Sequence, residues 1–255
     1  MPLAPLPEIM VAPNGARRKK SDHPVLPVTI NETVETAKTC FAAGATGLHA
    51  HVRDKNQNHI LDTGLYKELI AEMHIVVPKM QVQITTEAVG IYTPAEQRAV
   101  VRGVMPKSVS ISLKEMLADD EQNEPSKFYH WANESEIAVQ HILYGSAELS
   151  QLINLVHSNF LPAKELQLLF VLGRYSVNQE STPDDLVPFL EIFNQRNLKA
   201  DWAICAFGKG ETTCLAEAIS KGGKARVGFE NSLWNEDGTL AKDNAERVNE
   251  IAQLV

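Results

Sequence analysis

The chain has 255 residues, a net charge of −8, a hydrophobic fraction of 44% and a charged fraction of 22%, which is the composition of an ordinary soluble globular protein. The negative charge argues against nucleic acid or an anionic membrane as a general partner, and the apolar runs are too short to span a bilayer. Because the three cysteines follow no paired spacing and no signal peptide is evident, we expect a cytoplasmic protein with reduced thiols.

Strand-like and helix-like segments alternate from one end of the chain to the other, which predicts a parallel α/β fold. Eight segments have the character of strands: 8–13, 46–52, 80–86, 108–112, 137–143, 166–172, 201–207 and 225–230. Eight is the strand count of a closed (β/α)₈ TIM barrel. Since no repeat or linker interrupts the pattern, we predict a single TIM-barrel domain over residues 1–255.

Helix start signals occupy several of the intervening segments. Thr29 and Glu32 form a capping-box pair, and Thr93 and Thr182 each precede a proline at a first helical position. The segment 121–136 is the least regular of these, and we predict a helix there.

The alternation of side chains between the two faces of a strand favours closure of the sheet. In the third strand candidate, Gln83 and Thr85 share one face, and in the fourth, Ser108 and Ser110 share one face with apolar residues opposite. A polar face turned inward is typical of a barrel whose lumen leads to a polar site. Active sites in this fold lie at the C-terminal strand ends.

A candidate metal site follows from these positions. His49 and His51 project from one face near the end of the second strand, and Arg226 and Glu230 share a face of the eighth. In a closed barrel the eighth strand neighbours the first, and the first neighbours the second, so Glu230 can reach the histidine pair. Two histidines and one glutamate leave coordination positions open, which is typical of a catalytic zinc site.

Five segments together resemble the zinc-dependent β-keto acid cleavage enzymes. They are APNGA (12–16), AGATGLHAHVRD (43–54), QITTEA (83–88), FVLG (170–173) and GGKARVGFEN (222–231). The resemblance implies a reaction of a β-keto acid with acetyl-CoA as co-substrate, giving acetoacetate and a new acyl-CoA. Zinc would act as a Lewis acid that stabilises the enolate. It also implies a homo-oligomer, often a tetramer.

The resemblance further implies roles for individual residues. Arg226 matches the catalytic arginine of the family, and Asn14, Thr85 and Ser110 fall where substrate contacts are expected. Asn231 stands where the family often has an aspartate that pairs with the arginine to abstract a proton. Because asparagine cannot ionise, either another group takes the proton or the activity is reduced or different.

Basic residues near the predicted rim suggest anionic ligands. Arg17 stands where the amino-substrate enzyme has an acidic residue, and a guanidinium there suits a carboxylate. Lys19 and Lys20 belong either to a solvated loop or to a CoA-phosphate site. Lys209, after the seventh strand, lies either at such a phosphate site or in a helix-entry turn.

Two alternative functions stay open. An amidohydrolase-type metal hydrolase also uses a His-x-His pair, with further histidines, and His141 is the candidate here. In the amidohydrolase-type barrel, however, the pair ends the first strand. The alternation of side chains along the strand 137–143 also predicts that His141 faces the helices. The second alternative is a barrel that binds zinc without turnover, which Asn231 suggests.

Overall fold

Eight parallel strands close into a barrel in the computed structural model, which describes residues 3–118 and 123–255. The first to eighth barrel strands are Ile9–Val11, Gly47–Ala50, Gln81–Thr85, Ser108–Ser112, Ala138–Leu143, Gln167–Leu172, Asp201–Ala206 and Lys224–Val227. The predicted (β/α)₈ TIM barrel is therefore confirmed, and each of the eight predicted strands overlaps an observed one.

Helices cover the outside of the barrel. The α-helices are Ile30–Ala42, Thr63–Val76, Pro94–Val104, Leu113–Met116, Glu124–Glu134, Ser146–His157, Val187–Gln195, Glu211–Ser220 and Asn244–Ala252. Short 3₁₀ turns occupy Val177–Gln179 and Pro183–Leu186. No helix within 3–118 and 123–255 is long and apolar enough to cross a membrane.

The predicted helix starts are largely confirmed. Thr29 and Thr93 both form complete capping boxes. Thr182 instead precedes the 3₁₀ turn, and the α-helix begins only at Val187, because Pro188 has no N–H with which to continue the hydrogen bonding from the preceding turn. In the irregular segment 121–136, a helix does form, although residues 121 and 122 lie outside the described residues.

The lumen is polar on one side and apolar on the other, so the expectation of a polar interior holds only in part. Gln83 and Gln140 are buried inside the barrel and joined by a hydrogen bond of 3.0 Å. The sixth and seventh strands instead turn apolar side chains inward, among them Val171 and Cys205, which cluster with Phe207 just after the seventh strand. Gln83 and Gln140 thus lie on the half of the lumen that adjoins the histidine pair, although Gln167 adds a buried polar group at the start of the sixth strand.

The eighth strand ends earlier than the sequence predicted. It stops at Val227 because Gly228 adopts a φ of +132° and its backbone approaches Ala12 closely. Glu230 therefore lies in a turn and not on the strand face. The turn is held against the first strand by the hydrogen bond from the Glu230 N–H to the Ala12 carbonyl, at 3.0 Å.

The second strand ends at Ala50, and a short antiparallel hairpin follows, pairing Val52–Arg53 with His59–Ile60. The Asp54 carboxylate closes the hairpin by accepting hydrogen bonds of 2.8 Å from the backbone N–H groups of Asn56 and Asn58. The sequence had not indicated this hairpin. It brings His59 back over the end of the second strand.

The C-terminal helix Asn244–Ala252 supports the turn that carries Glu230. Its Asn244 amide accepts from the Phe229 N–H at 2.9 Å and donates to the Pro13 carbonyl at 3.2 Å. Arg247, fully buried, pairs at 2.9 Å with the equally buried Glu211. Glu211 in turn accepts a hydrogen bond of 3.3 Å from the Gly228 N–H, so both sides of the turn are fixed by polar groups that are shielded from water.

Candidate metal centre

Three buried ligand atoms converge at the C-terminal end of the barrel. His49 Nε2 lies 3.2 Å from His51 Nε2, and Glu230 Oε2 lies 3.5 Å from each of these nitrogens. Among the residues described, this is the one group of three or more histidine, cysteine or carboxylate ligands close enough to share an ion. The structure therefore brings together the three predicted ligands.

The spacing fits a tetrahedral metal ion. Bonds of roughly 2.0–2.2 Å at tetrahedral angles would place neighbouring ligand atoms about 3.3–3.5 Å apart. The three observed separations fall in or close to this range. Glu230 Oε2 is buried and has no hydrogen-bond partner within the described part of the chain. A buried carboxylate oxygen without a partner is costly unless it binds a cation.

The protonation states also suit metal binding. Burial, with the Arg226 guanidinium nearby, lowers the pKa of His49 to about 4. Burial lowers the pKa of His51 to about 3. Burial alone would raise the pKa of Glu230, but Arg226 and the two imidazoles outweigh it and hold this pKa well below its usual range. At neutral pH the centre consists of two neutral imidazoles and a carboxylate, which are the forms that bind a metal.

Each imidazole makes a hydrogen bond through its other nitrogen. His49 Nδ1 lies 2.9 Å from Gln83 Oε1. His51 Nδ1 lies 3.3 Å from His59 Nδ1, and His59 Nε2 lies 3.0 Å from the Glu87 carbonyl. His59 was not among the site residues predicted from the sequence. It is buried beside His51, and only the unpredicted hairpin places it there.

Arg226 connects the centre to the lumen. Its guanidinium lies 3.2 Å from Glu230 Oε1 and 3.3 Å from Cys205 Sγ. One oxygen of Glu230 thus faces the arginine and the other faces the histidines. This division lets the carboxylate bind a metal while it balances the buried guanidinium charge.

The loop after the first strand closes one side of the site. Asn14 is fully buried and donates from Nδ2 to the Pro27 and His51 carbonyls at 3.1 and 3.2 Å. Arg53 donates to the backbone carbonyls of Asn14, Gly15 and Arg18. Gly15, at a φ of +59°, packs so closely on Glu230 that a Cβ there would lie 2.5 Å from its Cγ.

A pocket opens beside the metal centre and contains much of the predicted substrate site. Its walls include six residues that were predicted from the sequence: Asn14, Arg17, His49, Thr85, Arg226 and Glu230. Thr85 also accepts a hydrogen bond of 3.1 Å from the Glu87 N–H, so it orients the loop that follows the third strand.

Ser110 and Asn231 lie behind the pocket wall. Both are fully buried and neither lines the pocket. Ser110 Oγ and both amide atoms of Asn231 lack hydrogen-bond partners in the described segments. Their predicted roles in contacting substrate and in catalysis stay predictions.

Two charged residues of the pocket were missed by sequence reasoning. Glu87 lines the pocket, with its Oε2 4.0 Å from His51 Nε2, and Arg174 lies 3.7 Å from its other oxygen. Glu87 belongs to the QITTEA segment and directly follows the third strand, so its position in the sequence could have identified it as a candidate site residue. Arg174 follows the sixth strand at the corresponding position.

Two of the three lysines suggested for CoA phosphates, Lys20 and Lys209, have protein neighbours. Lys20 pairs with Glu32 at 2.8 Å. The backbone N–H of Lys209 donates to a Glu180 carboxylate oxygen at 2.9 Å, and the Lys209 ammonium lies 4.6 Å from the centre of the Trp234 ring. A phosphate at this turn would have to displace a carboxylate, which favours the helix-entry alternative for Lys209.

Comparison with known proteins yields a family and a fold. A family model described as beta-keto acid cleavage enzyme matches residues 8–255. The chain is 25% identical over 246 residues to a 3-keto-5-aminohexanoate cleavage enzyme of Fusobacterium nucleatum, covering 94% of this chain and 88% of the relative. It is 24% identical over 259 residues to a 3-oxoadipate:acetyl-CoA acetyltransferase of Cupriavidus necator, covering 96% and 87%.

Among solved structures, the ternary complex of ObcA with a C4-CoA adduct and oxalate superposes with a TM-score of 0.72 at 15% identity. The match covers 90% of this chain but only 63% of that longer one. At this identity the similarity shows a shared barrel fold and nothing further.

Removing both imidazoles should abolish metal binding while leaving the barrel folded. The double variant His49→Ala/His51→Ala loses two of three ligands, and these side chains lie outside the apolar core clusters. Metal content per chain by elemental analysis and far-UV circular dichroism together check this expectation. His74→Ala, at an exposed helical position, is the matched control. Stoichiometric metal retained by the double variant would refute the assignment.

Proposed function

The chain belongs to the β-keto acid cleavage enzyme family, and on that premise we propose that it uses zinc to convert a β-keto acid and acetyl-CoA into acetoacetate and a new acyl-CoA. The convergence of His49, His51 and Glu230 beside a pocket that also contains Arg226 supports this function most directly. The names of the Fusobacterium and Cupriavidus relatives describe reactions of this kind.

Zinc suits the ligand set better than magnesium or calcium. Two imidazole nitrogens and one carboxylate oxygen at tetrahedral spacing match catalytic zinc sites, whereas magnesium and calcium prefer oxygen ligands alone. When bound, zinc supplies positive charge that stabilises the enolate of the keto acid. His49, His51 and Glu230 would hold it.

The reaction begins with removal of a proton from C2 of the keto acid. The electron pair of that bond forms the enolate, and C2 then attacks the thioester carbon of acetyl-CoA, which releases CoA as a thiolate. The thiolate attacks the former keto carbon, and the bond between C2 and that carbon breaks with its electron pair on C2. The base returns its proton to C2, and acetoacetate and the new acyl-CoA leave. Arg226, buried beside the centre, offers its guanidinium to the negative charge that develops in these steps.

Glu87 is the group best placed to take the C2 proton. Among the pocket residues it is the one carboxylate other than Glu230, which is committed to the metal. Burial and the nearby Glu230 carboxylate raise the pKa of Glu87 to about 7, despite the Arg174 guanidinium at 3.7 Å. A base whose pKa lies near the working pH is effective in proton transfer. Glu87 thus supplies the acid–base function that Asn231 cannot.

The pocket rim suits a substrate with a second negative group. Arg17, Arg18 and Arg174 all line the pocket. The Cupriavidus relative is named for 3-oxoadipate, a keto acid with two carboxylates. Arg17 in this chain would receive the distal carboxylate, in contrast to a substrate amine, which would meet like charge there.

The hydrolase alternative has little structural support. His141 faces the helices as predicted, and its ring centre lies 5.2 Å from that of Tyr129 in the helix Glu124–Glu134. It therefore does not extend the histidine pair. We further propose a cytoplasmic location and a homo-oligomer, which rest respectively on three free buried cysteines and on the family resemblance.

The proposed function predicts that acyl-CoA formation depends on both acetyl-CoA and zinc. A panel of β-keto acids is incubated with acetyl-CoA, and acyl-CoA products are followed by mass spectrometry before and after zinc is removed with a chelator and restored. Hydrolysis of amides or lactones without CoA would support the hydrolase alternative. Zinc binding with no product across the panel would support the barrel without turnover.

A second prediction concerns the base. Glu87→Gln should slow the enzyme-catalysed exchange of the C2 protons with D₂O by about 10²–10⁴-fold, because general-base catalysis contributes a factor of this size. Proton NMR of the keto acid without acetyl-CoA measures this step alone, and zinc content should not change. Glu115→Gln is the control, since Glu115 is a neighbouring carboxylate outside the pocket lining. Unchanged exchange in Glu87→Gln would contradict the role.

A third prediction concerns substrate charge. Arg17→Glu should lower kcat/KM for a dicarboxylic keto acid by about tenfold, roughly 1.4 kcal/mol, with little effect on a neutral analogue. Since Arg17 is exposed, this is less than the loss for a buried ion pair. Arg18 cannot serve as control because it also lines the pocket. Arg196→Glu can, because Arg196 is exposed at the end of the helix Val187–Gln195. An equal loss in both variants would count against the idea.

A further inference from the structure

We propose that two chains of hydrogen bonds, each beginning at a backbone carbonyl, set the tautomers of His49 and His51 so that both present an Nε2 lone pair to the same point. The inference rests on the metal centre proposed above. It assigns positioning roles to Gln83, Gln140 and His59, which contact no substrate in the proposed reaction.

The first chain runs through the lumen from the sixth strand. The Leu168 carbonyl can only accept, so Gln140 must turn its NH₂ group toward it, at 3.2 Å. Gln140 Oε1 then faces the next glutamine and accepts from Gln83 Nε2 at 3.0 Å. This leaves Gln83 Oε1 directed at His49 Nδ1, at 2.9 Å. An amide oxygen has no proton to give, so His49 carries its proton on Nδ1.

The second chain runs through the hairpin. The Glu87 carbonyl accepts from His59 Nε2 at 3.0 Å, so the proton of this imidazole lies on Nε2. His59 is buried, and its hydrogen bonds in the described residues go to a carbonyl and an imidazole and not to a carboxylate, so the ring is neutral and its Nδ1 is an acceptor. His51 Nδ1, at 3.3 Å, must then be the donor. His51 therefore also carries its proton on Nδ1.

The two chains have one consequence for the centre. His49 Nε2 and His51 Nε2 lie 3.2 Å apart, but neither has a proton to share. Glu230 Oε2, 3.5 Å from both, is a third acceptor. Three acceptors facing one another repel unless a cation lies between them. The arrangement of the surrounding amides thus favours an ion over a hydrogen bond at this point.

The two chains differ in how their members depend on one another. Gln140 acts on His49 only through Gln83, so these two act in series. His59 acts on His51 through the hairpin, so its effect is independent of Gln83 and Gln140. When two substituted residues belong to one hydrogen-bond network, their free-energy effects do not simply add, whereas the effects of two independent residues do. A side chain that only fills space gives no such pattern.

The experiment measures zinc dissociation constants by competition with a chelator. Gln83→Leu, Gln140→Leu and His59→Phe should each weaken zinc binding by about 10–100-fold, the usual effect of removing a partner of a metal ligand. Gln83→Leu/Gln140→Leu should bind no more weakly than Gln83→Leu alone. Gln140→Leu/His59→Phe should show the product of the two single effects. Gln167→Leu is the matched control, since Gln167 is buried, pairs in register with Gln140 and donates to the Ala4 carbonyl at 2.7 Å.

Imidazole ¹⁵N chemical shifts of the metal-free protein provide the second measurement. In the wild type, both His49 and His51 should show a protonated Nδ1, and in Gln140→Leu, His49 alone should show a mixture of tautomers. A protonated Nε2 in the wild type, or unchanged zinc affinity in Gln140→Leu, overturns the inference. If the wild type binds no zinc, the proposed metal centre fails, and the ¹⁵N shifts still decide whether the two chains set the tautomers.

Discussion

The site depends on the closure of the barrel at its first strand. This strand is only three residues long, yet it pairs with the eighth strand on one side and with the second on the other. Met10 is in register with both Arg226 and Gly47. Through this one strand, Glu230 comes within 3.5 Å of two histidines about 180 residues earlier in the chain. If the strand were displaced, the ligands would separate.

Much of this arrangement could be predicted from the sequence, because alternation and polarity report directly on strands and their faces. All eight strands were found in this way, and so were the three side chains that converge as the proposed metal ligands. Glu230 reaches the site for a different reason from the one predicted, since a positive φ at Gly228 ends the strand and a turn carries the carboxylate inward. The alternation of side chains could not show this, because it assigns faces only along a continuous strand.

The residues that sequence reasoning missed lie in loops and in the hairpin. His59 is brought back by a turn that the Asp54 carboxylate organises, and Glu87 and Arg174 each follow a barrel strand. Their conformations depend on local side-chain to backbone hydrogen bonds, which have no periodic pattern. The apolar half of the lumen was likewise not predicted, since a parallel strand buried on both faces gives no alternation to interpret.

The basic residues of the pocket rim have a consequence for how substrate arrives. The chain as a whole has a net charge of −8, yet Arg17, Arg18 and Arg174 gather at one opening. An approaching anion is repelled over most of the surface and attracted at this opening, so the field directs its diffusion toward the site. Such steering acts over about one Debye length, roughly 8 Å at physiological ionic strength. Added salt therefore slows the encounter, while the buried groups that perform the chemistry are much less affected.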